Sequence, residues 1–447
     1  MTSSTVLSKD EIRQNFASAM SDMYQQEVPE YGRLLSLVKQ SNNNFTQQNS
    51  ITLSSDEDSL LAKEHHGAIR VGTAEELSAL RRVFNVMGMF PVDYYDLSVA
   101  GIPVHSTAFR ALEPEQLLIS PFRVFTSLLR LDLIAEEGLR EEAQQILSTR
   151  NIVTDELVAL LDKSETQGGL NEQDAAVFVA EALEIFRWHQ QANVKKEQYD
   201  ALNNTHRLVA DVVSFKGPHI NHLTPKVLDI DEIQSEFKNQ GFKAKAVVEG
   251  PPNRDCDILL RQTSFIALDE AVSFTDGEIG THTARFGEVE QRGIALTPKG
   301  RALYDELLNL ARSNKNDKED YATTLKNAFS AFPDSYEELR KQELAYFCYF
   351  DTKQPCSLDK QNRSLEALIE SGNIEFKPIR YEDFLPVSAA GIFTSNLAQD
   401  NDTENKIQLS PNQDSFEKAL GAKVMNSFEL YEDQQQTSIE QVLALIQ

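Results

Sequence analysis

His66-Gly67-Ala68-Ile69-Arg70-Val71-Gly72 is the stretch from which the rest of the chain is read. Small and branched apolar residues separate a histidine from an arginine, and the run leads into Thr73-x-x-Glu76, a helix-start pattern. The spacing predicts a short strand and then a helix towards Val86. Side chains alternate across a strand, so His66, Ala68 and Arg70 share one face while His65 takes the other. Beyond Gly88, Pro91 to Leu97 and Val104 to Phe109 read as further strands.

The same order of elements recurs downstream. Ile220-Asn-His222-Leu begins a strand, Asp231 to Phe237 reads as a helix, and Phe242 to Val248, Ile258 to Phe265 and Ala284 to Glu290 read as strands. Two such halves would set two curved sheets side by side around a small-molecule site. Between them, residues from about 114 to 213 read as a helical layer. Leu117, Leu118, Phe122, Phe125, Leu128, Leu129 and Leu133 recur at roughly helical spacing, as do Ala176, Val179, Ala182, Ile185 and Phe186. At the N-terminal end a helix is expected over Asp10 to Met23. The Asn- and Gln-rich tract Gln40 to Ser50 reads as a loop, because it offers little apolar surface to offset the entropy of ordering. Towards the C-terminal end, Arg301 to Arg312 and Ser438 to Ile446 read as helices. The expected segments are 1–54, 55–110, 111–213, 214–300 and 301–447, in an α+β fold.

The chain has 447 residues of which 41% are hydrophobic, enough for a sizeable core. Its 43 Lys plus Arg stand against 69 Asp plus Glu, a formal charge of -26, which argues against a nucleic-acid partner. Three cysteines, at 256, 348 and 356, are too few for a disulfide framework and fit a reducing compartment. The first residues carry neither a basic region nor an apolar run, and no stretch reaches the roughly 18 apolar residues of a membrane span. A cytoplasmic protein without a membrane partner is the expectation.

Chemistry is sought among only eight histidines. A mononuclear site of the two-histidine, one-carboxylate type needs two neutral imidazoles and one acid on a common face, with positions left for substrate and oxygen. His66 supplies one imidazole. Arg70 lies on the same face roughly 13 Å further along the strand, with a planar fork suited to a substrate carboxylate; the bland alternative is a structural ion pair. For the second imidazole His219 and His222 compete, and three residues apart they fall on opposite faces of an ideal strand. For the acid, Glu288 and Glu290 share one face. His282 is a further candidate to orient a neighbour. No His-Glu-x-x-His or Cys-x-x-Cys pattern supports a zinc site, and no nucleophile-elbow or glycine-rich nucleotide pattern stands in a strand-to-helix setting.

His66-Gly-Ala-Ile-Arg-Val-Gly-Thr73, Met87-Gly-Met-Phe-Pro-Val-Asp-Tyr-Tyr-Asp-Leu-Ser98 and Gly101-Ile-Pro-Val-His-Ser-Thr-Ala-Phe-Arg110 resemble the 2-oxoadipate dioxygenase/decarboxylase family. So do Phe215-Lys-Gly-Pro-His-Ile-Asn-His-Leu-Thr-Pro225, Ile258-Leu-Leu-Arg-Gln-Thr-Ser-Phe265 and Thr283-Ala-Arg-Phe-Gly-Glu-Val-Glu-Gln-Arg-Gly293, over about residues 55 to 397. The resemblance implies curved sheets like those of the vicinal oxygen chelate enzymes, forming a metal-centred barrel with a large helical insertion and a C-terminal extension. It implies Fe(II) held by His66, His222 and Glu290, with Arg70 binding substrate and Val387 and Ser388 as pocket contacts. Gln262 and Arg261 are weaker pocket candidates, and since adjacent strand residues face opposite ways only one of them is expected to point inward. The implied reaction turns 2-oxoadipate and molecular oxygen into D-2-hydroxyglutarate and carbon dioxide. An oxygen-independent isomerase or lyase, and an acidic metabolite-binding protein, are the competing readings.

Overall fold

The computed structural model describes residues 6–53, 58, 60, 61, 63–313, 321–356, 363–385 and 412–446. The chain divides into two compact units. One comprises residues 1–246, 262–290 and 386–425, and the other 247–261, 291–385 and 426–447.

The first unit opens with helix α1 (Lys9–Glu27). Ser8 Oγ accepts the backbone N–H of Glu11 and the Glu11 carboxylate accepts that of Ser8, a reciprocal cap that satisfies two of the donors a helix start leaves open. Ile12, Phe16, Met20 and Met23 fall on one buried stripe. Helix α2 (Pro29–Gln48) extends through most of the Asn- and Gln-rich tract expected to be a loop. The reason lies in two side chains. Ser41 donates to Glu232, and buried Asn42 donates to the Lys226 carbonyl while accepting the Leu228 N–H, so polar partners replace the missing apolar surface.

Strand β1 (Glu64–Val71), helix α3 (Ala74–Val86) and strands β2 (Phe90–Asp96) and β3 (Val104–Arg110) follow in the expected order. Thr73 accepts the Glu76 N–H, but the Glu76 carboxylate turns to the Gly72 N–H and to Arg150 instead of closing a full capping box. Strand β4 (Arg123–Leu129) corrects the helical reading of this stretch. All seven of its residues are buried, and in a strand covered on both faces a near-continuous apolar run mimics helical spacing. Five helices between Glu137 and Val213 then form the expected helical layer. They lead to β5 (Ile220–Pro225), a helix over Ile230–Asn239, and the paired strands β6 (Leu260–Ser273) and β7 (Ile279–Arg292). Phe242 to Val248 forms no strand and makes one bridge, Ala244 to Phe265.

The main sheet has the order β2-β3-β4-β1-β5. β1 lies at its heart, parallel to β4 and antiparallel to β5. Register sets His66 beside Arg123 and Thr224, Ala68 beside Phe125 and His222, and Arg70 beside Ser127. Residues in register share a face, so one side of the sheet collects two histidines and two arginines. Among the described residues this sheet and the β6-β7 pair do not close into a barrel. The second unit contains the antiparallel pair β8 (Phe347–Asp351) and β9 (Ile374–Pro378), with helices over Pro298–Ser313 and Ser427–Ile446.

Candidate active site

His66 and His222 enter the same space from adjacent strands, their rings edge to face with centroids 5.4 Å apart. From β7, Glu288 and Glu290 reach the same space, two residues apart on one strand face as expected. One donor atom each of His66, His222 and Glu288 lies within 4.8 Å of the others. Glu288 Oε2 is 3.2 Å from His222 Nε2. Glu290 meets the other imidazole, with Oε2 2.7 Å from His66 Nδ1 and Oε1 3.5 Å from Arg123 Nη1. Both imidazoles therefore have a carboxylate at hand, and all five side chains are buried.

The electrostatics of this centre follow from its composition. Glu288 and Glu290 bring two carboxyl groups to the centre, Glu290 beside the Arg123 guanidinium, all withdrawn from water, where charge must be compensated. Burial, with the nearby His66 and Arg70, holds the His222 imidazolium well below its ordinary range despite Glu290, so the ring is a neutral ligand at physiological pH. His222 Nδ1 is buried without a hydrogen-bond partner. A neutral His222 ring with an orphaned nitrogen, beside a second imidazole and two carboxyl groups, fits a divalent cation.

The remaining expected residues divide. His219 does not join His66. It lies 4.8 Å from the Trp188 ring and at hydrogen-bond distance, 3.1 Å, from the Asn221 amide nitrogen, with Asp211 3.5 Å from Nε2. Arg70 is buried and donates from Nη1 to Asp211 Oδ2 at 3.0 Å. Gln262 donates to Glu288 Oε1, while its own carbonyl oxygen is buried without a partner, which leaves an acceptor at the centre's edge. Arg261 donates instead to the Pro251 carbonyl. Val387, Ser388 and the side chain of His65 lie outside the described residues. Arg123, Asp211 and Tyr199 were not nominated from sequence. Arg123 fell in the stretch read as helix. Asp211 carried a usable signal, a lone acid in the apolar run Leu208-Val-Ala-Asp-Val-Val213.

Buried histidines make stability depend on pH. Burial pushes His105 down to about 4 and His219 down to about 3. Both stay neutral in the folded chain but take a proton in the unfolded chain below about 6.5. Between those limits the unfolded state binds more protons, so stability falls as pH falls. The melting temperature, followed by calorimetry from pH 7 to pH 5, is expected to decrease; a rise over that interval contradicts the assignment.

Two imidazoles and a carboxylate converging on a buried centre are compatible with a metal site of the two-histidine, one-carboxylate type. The family model for 2-oxoadipate dioxygenase/decarboxylase matches residues 16–396, and the chain belongs to that family. A 2-oxoadipate dioxygenase/decarboxylase from Pseudomonas putida is 52% identical, with 98% of each chain covered, and one from Escherichia coli is 52% identical over 97% of this chain and 98% of that one. The crystal structure of the Pseudomonas putida hydroxyglutarate synthase in complex with 2-oxoadipate superposes with a TM-score of 0.88 at 48% identity, covering 99% of both chains. No helix among the described residues is long and apolar enough to cross a membrane.

Proposed function

We propose that this chain converts 2-oxoadipate and molecular oxygen into D-2-hydroxyglutarate and carbon dioxide at an Fe(II) centre held by His66, His222 and one carboxylate of β7. The observation that carries the reading is the buried convergence of His66 and His222 with Glu288 and Glu290, in a chain similar over its whole length to a synthase crystallised with 2-oxoadipate. Fe(II), when bound, would supply the chelation of a 2-oxo acid and the redox chemistry with oxygen. The rest falls to the protein. His66 and His222 present ring nitrogens, and burial keeps that of His222 neutral. The β7 carboxylate that does not ligate hydrogen-bonds a ligand and fixes its tautomer. Arg70, on the same sheet face, receives the carboxylate of the substrate remote from the reacting end and so sets which carbon faces the centre. Gln262 offers its amide beside Glu288, and Val387 and Ser388 complete the proposed pocket. Burial of His66, Arg70, His222, Gln262, Glu288 and Glu290 excludes bulk water from the reacting end.

The fold supports a vicinal-oxygen-chelate-like arrangement. One half runs β1-α3-β2-β3-β4, the other runs β5, a helix, then β6 and β7, and each half contributes one histidine from its first strand. Three unpaired cysteines support a cytoplasmic setting.

The resemblance nominates Glu290 as the third ligand, and the nearest-donor geometry nominates Glu288. Glu288→Gln and Glu290→Gln, titrated with Fe(II) anaerobically, assign it. The ligand's variant is expected to lose more than about a hundredfold in affinity and the orienting residue's variant about tenfold. Wild-type affinity in both variants contradicts a metal at this centre. Oxygen uptake on adding 2-oxoadipate tests the reaction class, since turnover without oxygen supports a lyase or isomerase instead.

A further inference from the structure

Behind Arg70 lies a chain of buried polar groups that the reaction described above does not use. Asp211, on the helix Arg207–Val213, is pinned at both oxygens. Oδ2 accepts from Arg70 Nη1 at 3.0 Å, and Oδ1 accepts from His282 Nε2 at 2.8 Å. On its other side, His282 Nδ1 lies at hydrogen-bond distance, 2.7 Å, from the Tyr199 hydroxyl. The Trp188 ring lies parallel to the His282 ring, at a centroid distance of 6.1 Å, and Phe215 packs at 5.2 Å. Tyr199, Asp211 and His282 come from two helices and β7, yet converge on one residue of β1.

We propose that Asp211, oriented by His282 and Tyr199, is a positioning residue that fixes the plane of the Arg70 guanidinium and so sets selectivity for a substrate bearing a second, remote carboxylate. A bland ion pair needs only proximity to offset the charge of Arg70. Here the acid is itself immobilised by a directed donor, and that donor by another, which is what a fixed fork requires. A guanidinium is rigid and planar, so an acid held at one Nη determines the direction of its remaining N–H groups. A carboxylate misplaced by about 1 Å at such a site costs on the order of a hundredfold in rate. Burial disfavours ionised Asp211, but the hydrogen bond to His282 and the charge of Arg70 oppose it, and the Asp211 pKa lies below the ordinary carboxylate range.

The inference rests on Arg70 receiving the remote carboxylate, and the test separates the two. Fe(II)-loaded wild type, Arg70→Gln, Asp211→Asn, the double variant and Tyr199→Phe are compared by the ratio of kcat/KM for 2-oxoadipate to that for 2-oxohexanoate, its monocarboxylate of equal length. Asp211→Asn is expected to lower that ratio about tenfold or more while Fe(II) affinity stays within about threefold. The double variant is expected to fall no further than Arg70→Gln, the signature of residues acting through one another. Tyr199→Phe, which removes only a hydroxyl, lowers the ratio by a smaller factor and decides the matter if Asp211→Asn does not fold. An unchanged ratio in Asp211→Asn and Tyr199→Phe, alongside a collapsed ratio in Arg70→Gln, overturns the positioning role. An unchanged ratio in Arg70→Gln overturns the anchor reading, and the positioning role with it.

Discussion

Replacing His66 or His222 with Ala is expected to abolish Fe(II) binding in the micromolar range and to lower kcat at least about a thousandfold, which corresponds to about 4 kcal/mol. The expectation follows from the donor count. The centre brings together two imidazoles with acids from a single strand, and no described residue is placed to substitute for a lost ring. Loss of His222 also leaves Glu288 without its 3.2 Å partner, and loss of His66 strips Glu290 of its 2.7 Å contact. Either change removes one partner of a buried carboxyl group, so the melting temperature reports whether the fold survives. Metal titration with calorimetry, on variants that retain the wild-type circular dichroism, checks the claim. Full activity in either variant contradicts it.

Arg70→Gln is expected to lower kcat/KM for 2-oxoadipate by about 10²- to 10³-fold, or about 2.7 to 4 kcal/mol, through loss of a charge-assisted bond to the remote carboxylate. Turnover of 2-oxohexanoate, which lacks that carboxylate, should change far less. Arg70→Lys should recover only part of the difference, because an ammonium cannot reproduce a planar fork. Fe(II) affinity should be close to wild type, since Arg70 is four register positions from His66 along β1 and not among the donors. Steady-state kinetics with both substrates measure the effect; equal losses on the two substrates would assign Arg70 a structural role through Asp211 alone.

The sheet around β1 was legible because its periodicity is short and well punctuated. A two-residue alternation placed His66 and Arg70 on one face, and Thr73 marked the start of α3. β4 was not legible, since burial on both faces removes the alternation that identifies a strand. α2 was missed for the opposite reason. Its polar residues are ordered by distant backbone groups at Lys226 and Leu228, and such partners leave no local signature. The site shows the same division. Spacing alone left His222 level with His219 and Glu290 level with Glu288. The fold brings His222 to His66, because β5 pairs with β1 in a register that sets His222 beside Ala68. Spacing nominated the two acids that β7 brings beside the histidines, but their distinct partners depend on how β7 lies against both rings. Arg123 enters through the parallel pairing of β1 with β4, a contact between strands separated by two α-helices and two further strands.

The most direct test of the whole account is product analysis of freshly Fe(II)-loaded protein supplied with 2-oxoadipate in air, with metal-free and anaerobic controls run in parallel. The account predicts one carbon dioxide and one D-2-hydroxyglutarate for each oxygen consumed, and no product in either control. Hydroxyglutarate formed by metal-free protein, or formed at an undiminished rate without oxygen, would contradict it.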